Sequence, residues 1–256
     1  NFEKKLQDKN LKQDNKISLD TKITLNLFEN LKYDLNNIRL GETVKPVYLS
    51  KLPPDLKNIK STTKRKNTFI KIILPLIIDE NNKILENRKK LFKILGKPIN
   101  SMGEKRWLKR RFEEYQIKNE DITELKLRMD IIPTSLTIAQ AAKERGWGTS
   151  RFALEGNAMF GQWTYGKDGI QPKDSKGKGH KVLKFPMLRS SIMAYQRNLN
   201  THKAYREFRF KRAEIREENK KISGLDLVPY LESYAATGKD YTKILKSIIS
   251  QNKLTD

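Results

Sequence analysis

Eight of the thirteen glycines in this chain fall within residues 146–179, and two of its three tryptophans fall with them. Helix propensity does not gather glycines and bulky aromatics in one stretch, because glycine costs about 1 kcal/mol per helical position. The cluster therefore marks turns and close backbone approach, with a small hairpin expected over residues 165–185. On both sides of it apolar residues recur at helical spacing. The chain reads as mainly α (α+β), with one glycine-rich β insert.

Three segments are expected. Residues 1–60 are polar, rich in Lys, Asn and Asp, and read as a partly disordered N-terminal arm. Within it a short helix is expected over 23–35 and extended chain near 47–49, with a basic turn over 57–66. Residues 61–132 read as an N-terminal helical region. One or two helices over 69–95 stop at Gly96-Lys97-Pro98. An amphipathic helix over 107–117 places Trp107, Leu108, Phe112 and Tyr115 on one face, and another helix runs over 121–131. Residues 133–252 form the third segment, whose later helices fall at 190–200, 203–221, 224–234 and 241–250.

Lys and Arg number 53 against 30 Asp and Glu, a net charge of +23. That excess suits a polyanionic partner or surface, and chooses by itself among none of nucleic acid, anionic lipid and cell-wall polymer. A biased genome composition yields the same Lys and Asn abundance. With no cysteine, disulfides, thiol catalysis and Cys-ligated zinc are excluded. The two histidines, His180 and His202, do not make a metal centre, so neither metal nor cofactor is expected. No stretch approaches the ~20 apolar residues that span a bilayer. The first residue is Asn1 rather than Met, and a signal or anchor preceding it is expected, with residence in the periplasm or cell envelope.

Chemistry concentrates after Pro133. Thr134 or Ser135 is expected to cap a helix there, and Gly146 to end it in the left-handed conformation. Glu144 then sits in the last turn, at the negative end of the helix dipole. The dipole and any aromatic burial both oppose ionisation, as a general acid at neutral pH requires. Lys143 and Arg145 oppose this only in part, since adjacent helical residues do not face one another. A solvated surface charge is the alternative reading of this glutamate.

The stretch Ala-Gln-Ala-Ala-Lys-Glu-Arg-Gly-Trp-Gly at 139–148, continuing to Asn-Ala-Met-Phe-Gly-Gln-Trp at 157–163, closely resembles the signature of the bacterial Bax-type glucosaminidases. These belong with glycoside hydrolase family 73. Similar matches are Asn-Leu-Asn-Thr-His-Lys-Ala-Tyr at 198–205, Leu-Glu-Ser-Tyr-Ala-Ala-Thr-Gly-Lys-Asp-Tyr at 231–241, and Leu-Pro-Leu-Ile-Ile at 74–78. The family commonly has Ser where this chain has Arg145. The resemblance implies a lysozyme-like helical domain with a small β-lobe that cleaves β-1,4 N-acetylglucosaminyl linkages of peptidoglycan glycan strands.

By that resemblance Glu144 aligns with the catalytic general acid and Tyr234 with a tyrosine near the cleavage site. Residues 157–163 align with the floor of the sugar cleft. Asn157, Phe160, Gly161, Gln162 and Trp163, with Trp147 and Tyr195, are the expected substrate contacts. Rings stack on sugar faces and amides bond hydroxyl and acetamido groups. Core packing is the competing reading for Phe160, Trp163 and Tyr195.

Glycosidases commonly use a second carboxyl group. The insert at 165–185 contains no Glu, and Asp168 and Asp174 are its acids. Either activates water, or both are solvated turn residues and the substrate's N-acetyl group assists. Two readings compete with a hydrolase. Arg145 and the missing glutamate fit an inactive peptidoglycan-binding or scaffold module. The cation and aromatic mixture at 203–212 fits a nucleic-acid binder, although Glu207, Glu214, Glu217 and Glu218 share that region and no such motif is recognisable.

Overall fold

The computed structural model describes residues 19–172 and 181–256. The elements are α1 (Thr21–Asn30), α2 (Leu35–Arg39), a 3-10 turn at Leu56–Asn58, α3 (Thr62–Leu95), α4 (Met102–Glu114), α5 (Ile122–Arg128), α6 (Thr134–Arg145) and α7 (Arg151–Gly156). Then come β1 (Trp163–Thr164), β2 (Gly169–Ile170), β3 (Lys181–Leu183), α8 (Leu188–Thr201), α9 (Arg206–Glu217), α10 (Gly224–Leu227) and α11 (Lys239–Gln251), with 3-10 turns at Lys203–Tyr205 and Val228–Tyr234. The strands form one antiparallel sheet in the order β1-β3-β2, with Val182 opposite both Trp163 and Ile170. The mainly helical chain with a small glycine-rich sheet is as the sequence predicts.

Ser61 caps α3 by accepting the Lys64 N–H. Phe69, Ile72, Ile73, Leu76 and Ile77 are all at most 1% exposed, at i, i+3 and i+4 spacing, so this face is a core stripe. The segment at 69–95 is thus one helix, and it passes through Pro75. It starts at Thr62, so much of the basic turn expected over 57–66 is helical instead.

The expected arm also needs correction over residues 19–60. Phe28, Tyr33, Leu35, Leu52 and Leu56 are buried in the same cluster as the α3 stripe and α6. Their spacing follows no single period, because they come from two short helices, the turn between them, the extended chain that follows and the 3-10 turn at Leu56.

The helix α5 ends at Arg128, short of the predicted residue 131, because arginines claim the carbonyls that follow. Buried Arg212 donates to the carbonyls of Leu127 (2.9 Å), Asp130 (3.1 Å) and Ile131 (2.7 Å), and to Asn200 Oδ1 (2.8 Å). Burial alone would raise the Asp130 carboxyl. Hydrogen bonds from Arg216 and the charges of Arg212 and Arg88 prevail and hold it low. Nearby, Asn81 of α3 donates to the Ile132 carbonyl (2.8 Å) and accepts from Gln196 of α8 (2.9 Å). These bonds fix the chain leading into α6.

The start of α6 departs from the sequence expectation. Pro133 is the N-cap and no side chain of Thr134 or Ser135 caps the helix. The Asp256 carboxylate instead accepts the Ser135 N–H (2.8 Å) and hydroxyl (2.6 Å), and the Gly224 N–H (2.8 Å). An anion at a helix N-terminus offsets the dipole.

Candidate active site

The helix α6 is buried along most of its length, with Ala139, Ala141 and Ala142 at 2% exposure or less. Small side chains there let α3 and α11 approach its backbone closely. Gly146 ends it with φ +54°, followed by Trp147 at +57° and Gly148 at +80°. A bulky residue in the left-handed region costs about 1–2 kcal/mol. Here Trp147 is held by an edge contact with Phe69 (6.0 Å between centroids) and by the Lys66 ammonium 4.7 Å over its ring. Trp147 is therefore half-buried against α3, where it anchors the loop that follows Glu144.

Burial pushes the Glu144 carboxyl up from its ordinary range, and this outweighs the charge of Arg145, a hydrogen bond from Tyr241 and the charge of Lys143. The Tyr241 phenol is itself fixed. Gln140 Nε2 donates to its oxygen (2.9 Å), and Tyr195 donates to Gln140 Oε1 (2.5 Å). With its oxygen accepting from Gln140, Tyr241 directs its own proton to Glu144. Gln140 lies one helical turn before Glu144, and Tyr195, Gln140 and Tyr241 are all at most 1% exposed.

Gly161 lies over the acid with φ +65°. A Cβ placed there would sit 3.1 Å from Glu144 Oε2 and 3.2 Å from Arg145 Nη2, so both groups border one point beneath the loop. Arg145 is 5% exposed, and its Nε and Nη2 have no hydrogen-bond partner among the described residues. Its guanidinium stacks on Phe152 at 5.4 Å.

The other expected contacts divide into two groups. Gln162 and Trp163 remain reachable, Trp163 at 57% exposure on β1. Phe160 and Tyr195 stack at 3.9 Å, are 3% and 0% exposed, and support the loop from below. For Phe160 and Tyr195 this corrects the expectation of a substrate contact, since both rings are packed in the core. Asn157 is also turned inward, its Nδ2 donating to the carbonyls of Phe185 (3.0 Å) and Pro186 (3.2 Å). Tyr234 donates to the Phe160 carbonyl (2.9 Å) and stacks on Tyr241 at 5.5 Å. Burial drives its phenol far above the usual value, so it acts as a neutral hydroxyl.

Asp168 is an exposed turn residue whose carbonyl accepts from Lys184 (3.1 Å). Asp174 lies outside the described residues. Among the described residues no group of His, Cys, Asp or Glu is arranged to hold a metal, and no helix is long and apolar enough to cross a membrane. A cavity of about 410 Å³ is lined by Glu80, Tyr115, Met193 and Arg197 among others, and none of its lining residues belongs to the Glu144 cluster. Volume alone is a poor guide here, since the tuned carboxyl lies elsewhere. The sequence alone assigns no role at the site to Tyr241 or Gln140. For Gln140 the available signal was its position four residues before Glu144, which puts both on one helix face.

A carboxyl whose pKa is raised by burial, near a small sheet that carries an exposed tryptophan, is what a glycosidase needs of its acid. The sequence comparisons agree with that class. The model of the mannosyl-glycoprotein endo-beta-N-acetylglucosaminidase family matches residues 119–254. Protein bax of Escherichia coli (strain K12) is 33% identical over 206 residues, which cover 78% of this chain and 74% of that protein. The catalytic domain of the autolysin Auto from Listeria monocytogenes is 22% identical, with a TM-score of 0.36, over 66% of this chain and 94% of that one. The chain belongs to the glucosaminidase family of glycoside hydrolases.

Proposed function

We propose that the protein hydrolyses β-1,4 N-acetylglucosaminyl linkages in peptidoglycan glycan strands, with Glu144 as the general acid. The observation that carries this reading is the burial of the Glu144 carboxyl between Tyr241 and Gly161. Protonated Glu144 donates to the glycosidic oxygen as its bond to the anomeric carbon breaks. The carboxylate left behind is stabilised by the Tyr241 hydroxyl and the charge of Arg145, the groups that oppose burial in the resting state. Water adds its oxygen to the anomeric carbon, and Glu144 regains a proton. With Asp168 exposed in a turn, assistance by the substrate's N-acetyl oxygen is the route we favour for the developing positive charge.

Peptidoglycan as the substrate follows from the motif resemblance over residues 139–163. The net charge of +23 suits an anionic envelope surface, and the periplasm or cell envelope is the location we assign. Arg145, standing where Ser is common, favours one second reading: a module of the same fold that binds glycan without cutting it. Digestion of purified peptidoglycan with mass analysis of product ends tests both. Reducing N-acetylglucosamine ends are expected. Anhydromuramic ends would mean a lytic transglycosylase, and retention without cleavage would favour the inactive module.

A further inference from the structure

Residues 88–111 hold ten Lys and Arg and one acid, Glu104, a net of +9 out of the chain's +23. They lie outside the part matched by the family. In the structure they are the end of α3, a turn, and most of α4, which together make a helical hairpin. Its inner face has a cluster of its own, in which Leu91, Ile94, Trp107 and Phe112 pack with Leu125 and Met129. That face explains Leu91, Ile94, Trp107 and Phe112 and leaves the hairpin's charge unexplained.

The cations point outward. Lys89, Lys93, Lys105, Arg106, Lys109 and Arg110 are all exposed. Three of their pairs, 89 with 93, 105 with 109 and 106 with 110, stand at i,i+4, where like charges weaken a helix. The lone acid is consumed internally. Glu104 pairs with Lys97 (2.5 Å) and accepts the Ser101 N–H (2.8 Å) in a capping box. The Lys97 bond and the Ser101 N–H hold its carboxyl down at about 2.

Apolar side chains cap the turn. Ile99 is 84% exposed and Met102 67%. Sugar polymers and single-stranded nucleic acids are read by open aromatic faces. Here Trp107 is buried, and Phe92, 46% exposed, already holds Arg88 and Lys126 over its ring at 5.2 and 5.6 Å. Two aliphatic side chains at a tip, with cations along both helices behind it, match a bilayer surface instead. We propose that this hairpin docks the protein on an anionic membrane surface, Ile99 and Met102 entering the headgroup region and the flanking cations meeting lipid phosphates. The proposal does not rest on the hydrolase reading, because docking needs no chemistry at Glu144.

Co-sedimentation of the full chain with vesicles tests it. Binding is expected to vesicles of phosphatidylcholine with phosphatidylglycerol, and little to phosphatidylcholine alone. Replacing Lys105, Arg106, Lys109 and Arg110 together by Gln should lower the partition coefficient at least ~100-fold, since each cation near an anionic surface contributes severalfold. Replacing Ile99 and Met102 by Ser should lower it about 10-fold. A control changing exposed Lys22, Lys221, Lys239 and Lys246 to Gln should lower it far less, and circular dichroism checks folding of each variant. Equal losses in hairpin and control variants would overturn the proposal, as would equal binding to neutral vesicles. It is also overturned if the hairpin variant loses only binding to purified glycan or nucleic acid.

Discussion

The two halves of α3 meet opposite treatments of charge. Its first half packs in the main core against α6, whose Glu144 is set by Tyr241 and Arg145, and other buried charges are likewise placed one at a time, as Asp130 with Arg88, Arg212 and Arg216. Its second half enters a hairpin that carries ten cations against one acid, with most of the cations in water. Buried charge acts through geometry, so one substitution should matter greatly. Exposed charge acts through number, so only groups of substitutions should matter.

The largest effect expected on stability is at Arg212. Arg212→Leu takes the donor from four acceptors and one of the cations from beside the Asp130 carboxylate, and removing one member of a buried ionic group costs about 3–5 kcal/mol. Urea unfolding checks this, and a cost below about 1 kcal/mol would break the contrast with the hairpin.

Next comes Gly161→Ala. It combines a left-handed φ with contacts of 3.1 and 3.2 Å to Glu144 and Arg145, for an expected cost of about 1–2 kcal/mol. Activity should fall further than stability, because the new methyl presses on the acid itself. Thermal melts alongside rate measurements separate the two.

Tyr241→Phe sharpens the account of tuning. The lost hydrogen bond favoured the carboxylate, so removing it raises the Glu144 pKa further. A general acid works while protonated, and activity is lost as pH rises through its pKa. The alkaline limb of kcat/KM should therefore move to higher pH in Tyr241→Phe, and in Arg145→Ser for the same reason. A limb that stays put in both variants would assign it to another group. The smallest effect belongs to the hairpin. Neutralising Lys105, Arg106, Lys109 and Arg110 should change each site's share of folding stability by no more than about 0.5 kcal/mol.

What could be read from the sequence follows the range of the forces involved. The left-handed stop at Gly146 and the place of Glu144 in the last turn are local, and both were legible from spacing and glycine. Helix positions on either side of the insert were legible for the same reason, including α4 with Trp107 and Phe112 inside. The buried share of residues 19–60 was not, because Phe28, Leu35 and Leu52 are buried in a cluster shared with α3 and α6, which no local period displays. Tyr241 and Asp256 act on α6 from far along the chain, and nothing near either residue signals it. Tyr195 carried an aromatic ring in a suggestive region, yet its position beneath Phe160 depends on tertiary packing that no motif displays.

Linkage offers a further check on Glu144. Its folded pKa is raised, so its contribution to stability is present below the unfolded value and lost as pH rises through the folded one. Glu144→Gln should therefore be more stable than the wild type at pH 7, with the gain fading as pH falls toward the unfolded value.

The most direct measurement is the steady-state rate of peptidoglycan cleavage by the wild type and Glu144→Gln, with binding to the same glycan measured for both. Loss of at least ~100-fold in rate with binding retained is the predicted result, the scale of losing acid catalysis. A variant that cleaves at the wild-type rate would contradict the assignment of Glu144 as the acid.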